Sequence, residues 1–138
     1  MNLEKFKEQH VQILRHVDDL RRLSRGGISD NAPGLAGGVV AMSSLIKLHL
    51  AAEELALYPA LQRSGNSELA QLGARFQSDM RPIAAAFDAF ARRWNTAQAI
   101  RADADGFRRA ANETLRCLWE RMRLENRDFY PKVETTRA

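Results

Sequence analysis

His49-Leu50-Ala51-Ala52-Glu53-Glu54-Leu55-Ala56-Leu57-Tyr58-Pro59 aligns without a gap on Arg121-Met122-Arg123-Leu124-Glu125-Asn126-Arg127-Asp128-Phe129-Tyr130-Pro131. Glu53 falls on Glu125, Leu57 on Phe129, and both copies close on Tyr-Pro. In the first copy a histidine stands four residues before the glutamate, one helical turn away on the same face, which suits two ligands for one metal. In the second copy Arg121 takes that place. The pair reads as a metal-site scaffold, intact in one copy and partly lost in the other.

The flanking sequence keeps the helical period of the repeat. A first helix is predicted over about 2–24, with Leu3, Phe6, His10, Ile13, Val17 and Leu20 along one face. Gly26-Gly27 closes it, and a loop is expected through Pro33-Gly34. A second helix over about 35–62 turns Met42, Leu45, His49, Ala52, Glu53 and Ala56 inward, with Gly37-Gly38 loosening its first turns. A third, over about 67–95, runs along Leu69, Leu72, Phe76, Met80, Ile83, Phe87, Phe90 and Trp94. Pro82 lies inside it, so a kink or short break is expected near Ser78 to Asp79. A fourth, over about 103–133, follows Phe107, Ala111, Leu115, Leu118, Met122, Glu125 and Phe129. No run alternates as a half-buried strand does. The expected fold class is all-α, an antiparallel up-down-up-down four-helix bundle forming a single domain over 1–138.

Composition narrows the functional classes. The 138 residues are 45% hydrophobic, enough for a core without disulfides, and the lone Cys117 excludes an internal disulfide. The residues after Met1 do not resemble a signal peptide, and the longest uninterrupted apolar stretches fall short of a membrane span. A cytoplasmic protein without a membrane partner is expected. The net charge of +4 and pI near 9.7 raise the question of nucleic acid. The late arginines, from Arg92 to Arg127, alternate with Asp103, Asp105, Glu113, Glu120, Glu125 and Asp128, which makes a solvated helix surface rather than a basic stripe. No nucleic-acid partner is expected. Gly34 to Gly38 lack the strand-helix setting and lysine of a phosphate loop, and no Ser-His-Asp set is interpretable, so no catalytic residues are assigned.

Polar residues that interrupt the apolar stripes are the informative ones. His10 interrupts the first, His49 and Glu53 the second, Glu125 the fourth; His16 and Glu54 fall outward. Burying two carboxylates near two imidazoles requires compensating charge. A divalent metal supplies it directly, and His with Glu suits iron, manganese or zinc.

His49-x-x-x-Glu53-Glu54-x-x-x-Tyr58-Pro59, with Glu125-x-x-x-Phe129-Tyr130-Pro131 and an upstream His10, resembles the hemerythrin-like (HHE cation-binding) domain family over essentially the whole chain. That resemblance implies a four-helix bundle around a non-haem di-iron centre that binds dioxygen, handles iron, or responds to nitric oxide or peroxide. His10 and His49 are then histidine ligands, and Glu53 and Glu125 bridging carboxylates. This chain departs from the pattern at two ligand places. The third helix offers Met80 at its inward position where a histidine is expected, and Arg121 replaces the fourth-helix histidine. Only three histidines exist in the chain, which argues against a full di-iron centre and for iron held as a single ion or absent.

Arg121 offers a replacement for the lost charge. A guanidinium is permanently cationic and grips carboxylates in a fork, so Arg121 is expected to bridge Glu53 and Glu125 from inside; the alternative is that it snorkels to water. Three functions follow as expectations: a degenerate or mononuclear site with a sensory or regulatory role, an iron redox protein responding to dioxygen, peroxide or nitric oxide, and a bundle binding an organic ligand or partner protein near Met80 and Cys117. Cys117 is expected to be a buried core thiol.

Overall fold

A computed structural model of the chain describes residues 2–135, and all regular structure among them is helical. Four long helices account for most of it: α1 (Glu4–Arg25), α2 (Ala32–Gln62), α3 (Ser67–Arg93) and, after the short α4 (Ala97–Ala102), α5 over 104–135. The single-domain expectation over 1–138 extends beyond the described residues at both ends.

Local chemistry sets the boundaries. Asn66 accepts from the backbone of Glu68 and Leu69 at 3.0 and 3.1 Å, capping α3. Thr96 caps α4 through Ala99 at 3.1 Å, and Asp103 caps α5 through Gly106 at 2.9 Å. Gly27, at φ +115°, makes the left-handed turn after α1. Pro33 and Gly34, expected in the loop, lie instead in the first turn of α2, where a missing N–H costs no hydrogen bond. Gly37-Gly38 does not loosen that helix. A Cβ on Gly38 would come 2.7 Å from Leu20 Cδ2, so any larger residue there would have to displace the Leu20 side chain of α1.

α3 runs through Pro82 without the expected break. Ser78, the residue whose carbonyl loses its partner, is exposed, as is Pro82, so water can take the place of the missing donor. By length and composition α2 could cross a membrane, contrary to the reading of its uninterrupted stretches; its inward face packs in the core through Leu35, Val39, Met42 and Ile46. Arg108 with Asp105 and Arg127 with Asp128 pair on the surface of α5.

Buried apolar side chains form two clusters. The larger includes Ile13, Val17, Ile46, Met80, Phe87, Phe90, Leu118 and Met122; the smaller includes Phe6, Leu57, Leu61, Phe76, Phe129 and Val133. On α1, α2 and α5 the stripe passes from one cluster to the other through polar residues: His10, His49 with Glu53, and Arg121 with Glu125. A polar layer thus divides two apolar ones.

Each copy of the repeat also carries a feature that periodicity does not show. α2 widens into a π-turn at Glu53–Leu57 and α5 at Glu125–Phe129. The N–H of Tyr58 reaches back five residues to the Glu53 carbonyl, and that of Tyr130 to the Glu125 carbonyl. The proline that follows each turn suits this geometry. Pro59 and Pro131 lack an N–H, and their rings would crowd the carbonyls of Leu55 and Arg127 in a regular helix. The wider turn relieves that crowding. It also sits where such turns are frequently found, at a polar site.

Candidate metal centre

His10 on α1, His49 and Glu53 on α2, and Glu125 on α5 meet in the polar layer, each no more than 1% exposed. One ligand atom from each lies within 4.8 Å of all the others. These are the four residues singled out as stripe-breakers, and the structure brings all four together.

The imidazoles are oriented from behind. His10 Nδ1 lies 2.9 Å from Asn126 Oδ1, and His49 Nδ1 lies 2.6 Å from Gln9 Oε1. An amide oxygen only accepts, so each Nδ1 keeps its proton and each ring turns its Nε2 to the centre. The two Nε2 atoms face each other at 3.1 Å. Glu125 Oε1 stands 2.9 Å from His10 Nε2, and Glu53 Oε1 3.5 Å from His49 Nε2. Neither oxygen is in hydrogen-bonding geometry with any donor. Two imidazole nitrogens and two carboxylate oxygens thus converge on one place, a donor set that a cation would satisfy. Tyr130 completes the wall: its hydroxyl donates to Glu53 Oε2 at 2.9 Å, and its ring stacks on His10 at 5.1 Å.

Arg121 faces the interior and is 4% exposed, so it does not snorkel to water. Its Nε and Nη2 lie 3.2 and 3.0 Å from the same oxygen, Glu125 Oε2. The expected bridge to Glu53 is not made. Nη2 donates instead to the Phe76 carbonyl at 2.8 Å, and the guanidinium lies 4.8 Å over the Phe76 ring. Phe76, one turn before Met80, is therefore what α3 brings against Arg121. Met80 packs in the larger apolar cluster.

The electrostatics follow from this asymmetry. Burial pushes Glu125 up, but its contacts with His10 and Arg121 outweigh that and hold it below the usual carboxylate range. Burial first, then the charge of Glu125, pushes Glu53 up to about 9. Burial and neighbouring His10 push His49 down to about 4. Burial, with Glu53 and Glu125 close by, raises the Tyr58 phenol; burial, with Glu125 and Glu53, raises Tyr130. At neutral pH and without metal, the ionised Glu125 is balanced by Arg121 while Glu53 keeps its proton.

Three supporting residues escape a reading by stripes. Gln9 and Asn126 adjoin His10 and Glu125 in sequence, where a polar residue reads as solvent-facing, and Tyr130 reads as part of a Tyr-Pro ending. The repeat held a signal for Tyr130, since both copies keep it. Cys117, expected in the interior, is exposed and shares no buried pocket with Met80. Glu54 is exposed, accepting from Gln77 at 2.8 Å, and His16 is half-buried off the stripe.

Two imidazole nitrogens and two carboxylates could hold a metal ion, and the two partnerless Glu oxygens are where it would be held. No curated protein and no solved structure matches this chain. A family model does, over residues 1–133, that of the hemerythrin HHE cation-binding domain. The match covers nearly the whole chain and the entire polar layer, and the chain belongs to the hemerythrin HHE cation-binding family.

Proposed function

We propose that this protein holds one divalent metal ion, iron foremost, between His10, His49, Glu53 and Glu125, and that it serves a sensory or regulatory role rather than oxygen transport. We read its four long helices as an antiparallel bundle with that ion at mid-height. Support comes above all from one observation: Gln9 and Asn126 each pin an imidazole so that its free nitrogen points at two carboxylate oxygens that have no donor. Groups held this way, before any ion arrives, suit a binding site.

Arg121 supports the choice of one ion over two. It occupies the histidine place of the second copy and already neutralises Glu125, so a second cation beside it would meet like charge. Bound iron supplies a redox-active centre with positions left over for a small ligand. The chain's own residues do the remaining work. Gln9 and Asn126 orient the rings, Tyr130 fixes one oxygen of Glu53, and the two apolar clusters exclude water from both sides.

Metal analysis of protein produced in iron-rich medium and purified without oxygen tests this. One iron per chain is expected, lost on substitution of His49 by Leu. Two irons per chain, or none with no uptake of added iron, manganese or zinc, overturns the proposal.

A further inference from the structure

Among the described residues three buried side-chain polar atoms have no hydrogen-bond partner: Glu53 Oε1, Glu125 Oε1 and the Tyr58 hydroxyl. A metal ion satisfies the two carboxylate oxygens. It cannot satisfy the third, because a hydroxyl proton needs an acceptor. We propose that Tyr58 donates a hydrogen bond to a small anionic ligand that joins the metal in the polar layer. This rests on the single-ion reading above and adds to it the class of ligand and the residue that recognises it.

The repeat explains why this hydroxyl is free. Tyr130, in the second copy, donates to the carboxylate of the first, Glu53 Oε2, at 2.9 Å. By the same register Tyr58 is matched with Glu125 Oε2. Arg121 has taken that oxygen with both Nε and Nη2, at 3.2 and 3.0 Å. With arginine rather than histidine at 121, the second copy lacks a metal ligand and leaves a phenol beside the guanidinium with no acceptor for its proton. The phenol is held rigidly: Tyr58 is 3% exposed and stacks with Phe129 at 6.3 Å and 18° between planes.

Charge gives the sign of the ligand. A divalent ion and Arg121 bring three positive charges against two from Glu53 and Glu125, leaving an excess of one. An anion of single charge restores neutrality in a layer from which water is excluded. Because every participant is buried, the proposal takes an anion of few atoms, such as hydroxide, azide or cyanide.

Azide is a suitable probe, and cobalt(II), with its visible absorption, a suitable ion for the whole protein. The wild-type protein loaded with cobalt(II) is expected to change spectrum on azide addition, and the bound azide's infrared band to shift in heavy water. Tyr58→Phe keeps the ring and its stack; it should bind cobalt(II) as wild type does, bind azide about tenfold more weakly, and lose the heavy-water shift. Equal azide affinity in wild type and Tyr58→Phe overturns the assignment, as does cobalt-loaded wild type that ignores azide or shows no isotope shift. Failure of the wild type to take up cobalt(II) at all would instead sink the single-ion reading. The wild-type infrared measurement stands even if the variant folds poorly.

Discussion

The copy that ends at Pro59 and the copy that ends at Pro131 share a wide turn, a buried glutamate at its start and a buried tyrosine at its end. They differ one turn upstream. His49 offers a nitrogen 3.5 Å from Glu53 and brings no charge, whereas Arg121 arrives already charged and pairs with Glu125 at 3.0 Å. One half of the polar layer thus carries its own counter-charge without metal, and the other is neutral only while Glu53 keeps its proton. The frame outlasts the ligand: exchanging a single side chain leaves the carboxylate in place and changes only what balances it. Glu125 is held below the ordinary carboxylate range, while Glu53 is pushed up to about 9.

The largest expected effect comes from erasing the arginine. Arg121→Leu leaves Glu125 buried without its counter-ion, and in the presence of a chelator this should cost about 3–5 kcal/mol in urea unfolding. Zinc(II) added to the same variant should recover much of the loss, since the ion replaces the guanidinium. Unchanged stability in chelator would remove the claim that the two copies differ in their charge balance.

A smaller effect is expected from the residues behind the imidazoles. Gln9→Leu frees His49 and Asn126→Leu frees His10, and each should weaken metal binding by about 10- to 100-fold while the helical content stays intact. A chelator-competition titration reads this out. Affinity equal to wild type in both variants would mean that the amide contacts do not hold the rings for metal.

The mildest test is pH. Glu53 is raised from 4.5 to about 9, so the folded metal-free protein binds more protons than the unfolded chain between those values, and stability falls as pH rises. His49 is lowered from 6.5 to about 4, so across that window its contribution rises with pH and opposes that of Glu53. Above pH 6.5 only the Glu53 contribution remains. Melting temperature in chelator should therefore decline from pH 6.5 to 9, and decline less with zinc(II) bound, because the ion already holds Glu53 ionised. Parallel slopes with and without metal would count against Glu53 as a ligand.

Much of this was legible in the sequence, for physical reasons that vary by residue. His10, His49, Glu53 and Glu125 stood out because a charged or polar group on an apolar stripe is expensive to bury. Arg121 stood out only through the repeat. Its choice of the Phe76 carbonyl over Glu53 depends on distances that spacing does not contain. Cys117 was misplaced because it adjoins the buried Leu118, and one step along the chain is about 100° around a helix. The unbroken α3 depended on which way Pro82 faces. The six-residue α4 is too short to show a period, leaving Thr96 as its one local mark.

The wide turns have a consequence for how this chain tolerates change. Each holds one residue more than a regular helix would across the same rise, so the surplus is absorbed within the turn and the segments on either side keep their phase. Excising one solvent-facing residue, Leu55 or Arg127, would rewind the turn to a regular one and leave Tyr58 and Leu61, or Tyr130 and Val133, on the apolar layer they now close. The proline ring would then meet the carbonyl four residues before it, the crowding that the wider turn relieves. The surplus residue is thus what lets each helix carry its proline past the polar layer.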